Sequence, residues 1–514
     1  MTTDVAVLVI DNLDVWTTAV ERRSVAGRGI QKGYKPYGVD CLRALILDLA
    51  ATGKLVPGEK IEAQKLGPKV DLVMGQAPPG NQCNTDGIGT VFVKTGEFGE
   101  RFPEVREWTT KPLKMAKSGD VLICVVGATI GKLNLGIDCA IGRSVAAIRP
   151  KANLLTEFLY YSLMPFTLRL RKESRGSAQG VIGKSELNSV LIRIPHVSEQ
   201  QRIVAKVDEL LALCDALEKE SATAMAAHQA LVEALLSTLI VSASAAELAT
   251  NWARLELHFN TLLTTEASVD ALKQTVLKLA VRGKLSAQSR TDEPASKFLT
   301  AIRAHNVRRN NEGRGRLPEA SIPISQKDQP FRLPAGWIFV RFVDVLINRD
   351  AERVPISSDV RMSRKGEYDY YGASGVIDNI DDYLFDESLL LIGEDGANLI
   401  NRSTPIAFIA TGKYWVNNHA HVLEAMSLAL LRYLEIYINA TDLEPYVTGT
   451  AQPKMNQAKM NSIVIALPPA DEVDRIVAKV DELVTLCDAL KANITDVAFT
   501  QRALADAIVE VEAA

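Results

Sequence analysis

From Ile476 toward the carboxy terminus, seam positions recur in alternating steps of four and three: Ile476, Val480, Leu483, Cys487, Leu490, Ile494, Val497, then a polar Gln501, then Leu504, Ile508 and Val511. That spacing keeps one stripe on one side of a helix and predicts a long coiled-coil helix. A second seam in mid-chain runs through Ile203, Val207, Leu210, Cys214, Leu217, Ser221, Ala224, His228, Leu231 and Leu235 and predicts another such helix. Its small central residues would let a partner approach closely. The two seams are expected to pair through Ile203, Val207, Leu210, Cys214 and Leu217 on one side and Ile476, Val480, Leu483, Cys487 and Leu490 on the other. His228 and Gln501 occupy equivalent places, and either set the register of that pairing or turn to solvent. Between the seams the texture changes. Residues 63–195 and 331–467 are rich in Gly, Pro and aromatics, with short β-branched or apolar runs such as VLICVVG from Val121 and SLLLIGEDG from Ser388, the signature of mixed α/β domains with many turns.

The chain also repeats itself. RIVAKVDELLALCDAL from Arg202 returns as RIVAKVDELVTLCDAL from Arg475, differing only at Leu211/Val484 and Ala212/Thr485. The same offset of 273 aligns Ala178-Gln179 with Ala451-Gln452, Asn188-Ser189 with Asn461-Ser462, and Pro195 with Pro468. At another offset, LILDLAATGKL from Leu45 matches TVLKLAVRGKL from Thr275. In mid-chain the two helical repeats follow one another, whereas the matching pair is split between the chain ends. This order predicts a circularly permuted duplication with pseudo-twofold halves. The expected fold is α+β: two mixed α/β domains separated by long antiparallel coiled-coil helices. The parts are a helical region at 1–62, a first domain at 63–195, a central helical region at 196–330, a second domain at 331–467 and a final helix at 468–514. Apart from their shared ends the two inserted domains show no likeness in sequence. The stretch from Arg303 to Pro334, containing RRNNEGRGRLP, is expected to be an exposed linker.

Composition narrows the functional classes. A chain of 514 residues with 23% charged residues and no run of eighteen apolar ones reads as globular, with no expected bilayer span. The apolar run Val5 to Ile10 lacks a basic leader and is followed by Asp11, so no signal peptide is expected and the cytoplasm is the default. Six cysteines are scattered without a C-x-x-C pair and away from the histidines, which predicts reduced thiols and no metal site. The net charge of −4 is unusual for a lone DNA binder. Either DNA is not the ligand, or the positive charge is local, as in the basic excess from Ile141 to Ser185, and partners supply the rest of the grip.

Several motifs then point to a family. In order along the chain stand MGQAPPG (Met74 to Gly80), GATIGK (Gly127 to Lys132), IGRSVAAIRP (Ile141 to Pro150) and GKSELNSVLIRIPHVSEQQRIV (Gly183 to Val204). LPAGW (Leu333 to Trp337), YYGASGVID (Tyr370 to Asp378), LIGEDGA (Leu391 to Ala397), VNNHAHVL (Val416 to Leu423) and TAQPKMN (Thr450 to Asn456) follow in the second half. In this order, with the repeated helix after each domain, the chain resembles the specificity subunits of type I restriction-modification systems from about residue 40 onward. The entry to the first domain, KLGPKVDLVMGQ, departs from the pattern by lacking the LPxGW of the second. The resemblance implies two target-recognition domains that each read half of a bipartite target in double-stranded DNA. It further implies two modification subunits docked on the helices, and restriction subunits completing a nuclease used in bacterial defence. S-adenosylmethionine, ATP and magnesium would belong to those partners, with no cofactor in this chain.

Near-matches to catalytic motifs fall short. The Pro-Pro pairs Pro78-Pro79 and Pro468-Pro469 are followed by Gly80 and Ala470, not by the aromatic that a base-methylating site needs. Gly183-Lys184-Ser185 and Gly127 to Lys132 fall short of a phosphate-binding loop and are expected to be turns. No catalytic residue is assigned. His419 and His421 alternate as strand neighbours and are expected to serve hydrogen bonding rather than metal binding. Base edges are read by polar groups on loops that enter a groove. The candidates are Lys132, Arg143, Arg175, Gln179 and Lys184 in the first domain, and Tyr371, Ser374, Asn398, Asn418, His419, Gln452 and Lys454 in the second. The competing expectation is a coiled-coil adaptor whose two domains bind proteins.

Overall fold

The computed structural model describes residues 5–22, 34–59, 61–127, 129–173, 181–313, 323–449 and 452–513. Two compact units emerge, residues 1–225 with 496–514 and residues 226–495. The two long helices expected from the seams are Val197–Val241 and Ala470–Ala513, and each unit boundary falls inside one of them.

In the first unit the short helix Tyr37–Thr52 carries Leu42, Leu45, Ile46 and Leu49 fully buried. It ends at Gly53, whose φ of 75° is a left-handed cap that suits glycine. Around it pack Ile203, Val207, Leu210 and Cys214 from the first long helix and Ala505, Ile508 and Val509 from the last, together with the domain helix Thr156–Glu173. Arg43 reaches Asp215 and Glu218, both at 2.7 Å, and the Tyr37 hydroxyl donates to Asp506 at 2.7 Å.

The second unit repeats this plan with the helices exchanged. Its short helix Glu266–Ala280 starts at Thr265, whose hydroxyl accepts from the Ser268 amide at 3.1 Å, and is followed by Gly283 with φ 64°. A Cβ on Gly283 would lie 2.5 Å from the Pro334 ring, so both conformation and space require glycine. Its neighbours are Val232, Leu236 and Leu239 from the first long helix, Val473, Ile476, Val480 and Cys487 from the last, and the domain helix Leu428–Ala440. Lys491 pairs with Asp270 at 2.7 Å and Lys273 with Asp488 at 2.9 Å. The sixteen-residue copies therefore each cover the short helix of their own unit. Leu217 packs on the first core, while Leu483 and Leu490 pack on the second. His228 lies in the second unit with its Nε2 at 3.1 Å from the Thr261 carbonyl, whereas Gln501 is half-buried in the first.

The two inserted domains are mixed α/β, as expected. Unlike in sequence, they share one topology. The first has a sheet in the order Leu133–Leu135, Val121–Cys124, Val145–Pro150, Val70–Met74; the second has Ala407–Ala410, Leu389–Gly393, Ala420–Glu424, Ile347–Asn348. A further sheet in each is built around one parallel pair, Thr90–Val93 with Cys139–Ile141 in the first and Tyr368–Gly372 with Lys413–Val416 in the second. Two short strands close each domain: Gln64–Lys65 pairs with Leu191–Ile192, and Ile338–Arg341 pairs with Val464–Leu467. The central strands Val121–Cys124, Leu389–Gly393 and Ala420–Glu424 are buried at every position, and many short apolar runs satisfy such pairing.

Two expectations change. Residues 303–311, read as linker, form the second half of the helix Ala295–Asn311. Ile302 and Asn306 on it are buried, and Arg309 reaches Glu424 at 2.5 Å, so a polar sequence is held helical by one apolar face and ion pairs. The first long helix also passes, by length and composition, as apolar enough to span a bilayer, against the expectation of none. Its hydropathy comes mainly from the aliphatic residues of its second half, of which Val232, Leu236 and Leu239 are buried in the second unit.

Candidate nucleic-acid interface

At one end of the second domain four loops converge. The turn between the antiparallel strands Tyr368–Gly372 and Gly375–Ile380 holds Ala373 and Ser374, and a Cβ on Gly393 would lie 2.5 Å from the Ala373 carbonyl. The Asn417 amide donates to the Tyr371 carbonyl at 3.1 Å, and the Glu394 amide to the His419 carbonyl at 2.8 Å. Asp395 and Lys454 form a β-bridge. Glu394–Asp395, Asn417–His419 and Gln452–Lys454 thus sit side by side next to the Ser374 turn.

Ser374, Asn418, His419, Gln452 and Lys454 are exposed there. His419 Nδ1 is 2.7 Å from Asp395, and Lys454 Nζ is 3.1 Å from Glu394. Asn418, Ser374 and Gln452 make no side-chain hydrogen bond to any described residue, which leaves their donors and acceptors for a ligand. Two candidates are instead engaged within the fold. The half-buried Tyr371 ring stacks on Phe408 with centroids 5.8 Å apart, and the Asn398 side chain closes its own loop through Ser403 and Thr404.

The corresponding end of the first domain is built alike. The Val125 amide donates to the Ser144 carbonyl at 2.9 Å, the Ile182 amide to the Val125 carbonyl at 2.9 Å, and Val126 bridges to Val181. The Gly142–Ser144 turn therefore matches Asn417–His419, with Arg143 at the place of Asn418. Arg143 is exposed and makes no hydrogen bond or ion pair to any described residue, whereas Arg101, Arg106 and Arg149 of this domain are each held by a carboxylate. A depression of about 590 Å³ lies beside it, lined by Asn84, Thr85, Lys94 and Glu107 among others. Lys184 is exposed at the start of the helix Lys184–Ser189. Lys132 is half-buried and donates to the Phe98 carbonyl at 2.5 Å, so it is committed to the fold. Arg175 and Gln179 lie outside the described residues.

A family model for the type I restriction modification DNA specificity domain matches this chain twice, at residues 62–224 and 334–498. The chain belongs to that family. The specificity subunits of the type I restriction enzymes EcoAI and EcoEI, both from Escherichia coli, are each 29% identical to it over 98% of either chain. The HsdS subunit from Thermoanaerobacter tengcongensis, known from a crystal structure, is 28% identical over 40% of this chain and 62% of its own, with a TM-score of 0.30. Both matched segments run past a recognition domain into the long helix that follows it, as the repeat does.

Beneath the exposed residues of this specificity domain's second copy lies a group that sequence reading did not assign to the site. His421 is 1% exposed. Its Nδ1 is 2.7 Å from Asp350 Oδ2 and its Nε2 is 3.0 Å from the Met455 carbonyl. Arg353 donates to Glu394 at 3.0 Å and to the Ala420 carbonyl at 2.7 Å. The hydrogen-bonding role expected for His419 and His421 matches these distances, but the two do not share a face: one is in the turn, the other inside. Among the described residues no group of three or more metal-ligating side chains occurs. The signal for the buried network was the charge density of GEDG beside an otherwise apolar strand, with a histidine inside the opposite one.

Proposed function

We propose that this chain is the DNA-specificity subunit of a type I restriction-modification complex, with each recognition domain reading one half of a bipartite duplex target. The observation that carries the reading is one topology used twice with different side chains at matched turns. Arg143 and Lys184 stand on these loops in the first domain, and Asn418, His419, Gln452 and Lys454 in the second. A guanidinium suits the paired acceptors of guanine and an amide suits adenine, so matched turns with unlike groups read unlike bases. The acidic balance of the chain fits a subunit whose partners share the phosphate contacts. The apolar faces of the two long helices serve the cores, and their outer faces dock the modification subunits.

On this reading the chain is non-catalytic. Adenine methylation with S-adenosylmethionine, and ATP- and magnesium-dependent cleavage, belong to the modification and restriction subunits, and the complex acts in the cytoplasm, where the chromosome is. Expression of this chain with a type I modification subunit encoded beside it should place methyl groups at one bipartite sequence, mapped by methylome sequencing. The purified chain alone should transfer none. Methyl transfer by the chain alone, or methylation that ignores its presence, would overturn the proposal.

A further inference from the structure

The buried histidine of the second domain has two acceptors and no donor against its ring. The Met455 carbonyl can only accept, so Nε2 carries a proton. Asp350 is ionised: its Oδ1 accepts from the Val422 amide at 2.8 Å, and its Oδ2 also faces the Arg353 guanidinium at 3.5 Å. Nδ1 therefore carries a proton as well. The ring is an imidazolium sealed inside the protein.

The charged groups facing it are Asp350, Glu394, whose Oε2 lies 3.9 Å from Nδ1, and Arg353, which touches both carboxylates; Lys454 closes the set on Glu394. Burial opposes the charged ring. The Asp350 carboxylate and the Met455 carbonyl outweigh that and raise its pKa above the ordinary histidine value.

Strand registers show what the first domain has instead. His421 opposes Ile392 as Ala146 opposes Ile123, so His421 stands at the place of Ala146. By the same registers Glu394 replaces Val125 and Asp350 replaces Met74, while the bridge pairing puts Lys454 at the place of Val181. An apolar contact in one domain is an ionic staple in the other.

We infer that His421 is a positioning residue of the second domain alone, its doubly donating ring holding Gln452–Met455 beside the Asn417–His419 turn so that this domain's DNA-facing loops keep their place only while the ring is charged. The assignment of those loops to DNA rests on the function proposed above; the staple itself does not. When pH rises through the raised value, one of the two ring protons leaves and one anchor is lost. The second domain then loosens in alkali and the first does not.

Two measurements on the full chain separate the staple from the reading. The first is amide hydrogen exchange from pH 6 to 9.5, corrected for the intrinsic rate. It should show protection of the Gln452–Met455 segment falling about tenfold or more in alkali, as expected for losing a buried charge-assisted hydrogen bond, while Val181–Gly183 stays level. His421→Gln should expose the segment at every pH. Constant protection across this range in the unsubstituted chain would overturn the inference, and that result needs no variant to fold. The second measurement, in complex with the modification subunit, is methylation of duplexes with either half of the mapped target altered. Discrimination in one half should weaken in alkali and in His421→Gln, and the other half should hold. Loss of protection without any change in discrimination would retain the staple and overturn its role in reading.

Discussion

Among single residues, Arg349 is the most committed charge in the second domain. It is 4% exposed, and its guanidinium donates to Glu424 at 2.6 Å, to Glu352 at 2.6 Å and to Glu387 at 3.2 Å. Glu424 is also buried and shares itself between Arg349 and Arg309. Removing one partner of a buried pair costs roughly 3–5 kcal/mol because a charge is left without its counter-ion. As Arg309 remains, Arg349→Ala should destabilise the second unit by about 3 kcal/mol, seen as a lower thermal or denaturant midpoint; a change within error would show that the network contributes nothing net. The pH dependence has a definite sign. Burial alone would raise the Glu424 carboxyl, but the two guanidinium hydrogen bonds prevail and hold it below the ordinary value. Its contribution is full above the unfolded pKa of about 4.3 and fades as pH falls through the lower folded value. Acid titration of Arg349→Ala should show a smaller loss in that window than the unsubstituted chain.

Elements tell how identical sequence acquires unequal weight. Leu210 and Leu483 hold the same position in the sixteen-residue repeat, yet Leu210 is 2% exposed and Leu483 only partly buried at the margin of its core. Truncating a fully buried leucine costs about 2–5 kcal/mol, including the cavity left behind. Leu210→Ala should therefore lower the melting temperature clearly more than Leu483→Ala, and equal shifts would mean that the two cores grip the repeat alike. The same contrast marks how far sequence reading reached. Seams, repeats and the permuted order were legible because helical periodicity and near-identity are local signals. The common topology of the two recognition domains was not, since strand order is set by long-range pairing of short runs. Of the candidate site residues, Arg143, Asn418, His419 and Lys454, read as polar residues on turns, are exposed on the converging loops. Tyr371, Asn398 and Lys132 were misjudged as available because their partners, Phe408, Thr404 and the Phe98 carbonyl, come from other loops or strands. The Asp350 partner of the buried His421 was not legible for the same reason, the two being 71 residues apart.

For the molecule as a whole, the question is whether the two recognition domains act independently. Each closes on itself through one strand pair, and in the second domain that pair joins Ile338–Arg341 to Val464–Leu467. An exchange of residues 331–467 for the matching domain of a relative carries both strands together and cuts no sheet. Among the buried polar contacts it must preserve are the Trp337 indole N–H donating to Glu472 at 2.8 Å, Arg309 donating to Glu424, and the Asn306 side-chain amide donating to the Leu346 carbonyl at 3.4 Å, since Glu472, Arg309 and Asn306 stay with the recipient. A donor retaining the LPxGW entry supplies that tryptophan, while a donor without it would leave a buried carboxyl short of a partner and confuse instability with altered reading. With a suitable donor, co-expression with the modification subunit should change one half of the methylated sequence and leave the other half as before. The unchanged half then belongs to the domain holding Arg143, and its loss on Arg143→Ala, with the exchanged half intact, would assign that residue to it. Methylome maps in which both halves change after a single exchange, in a complex that still methylates, would show that the domains do not read independently.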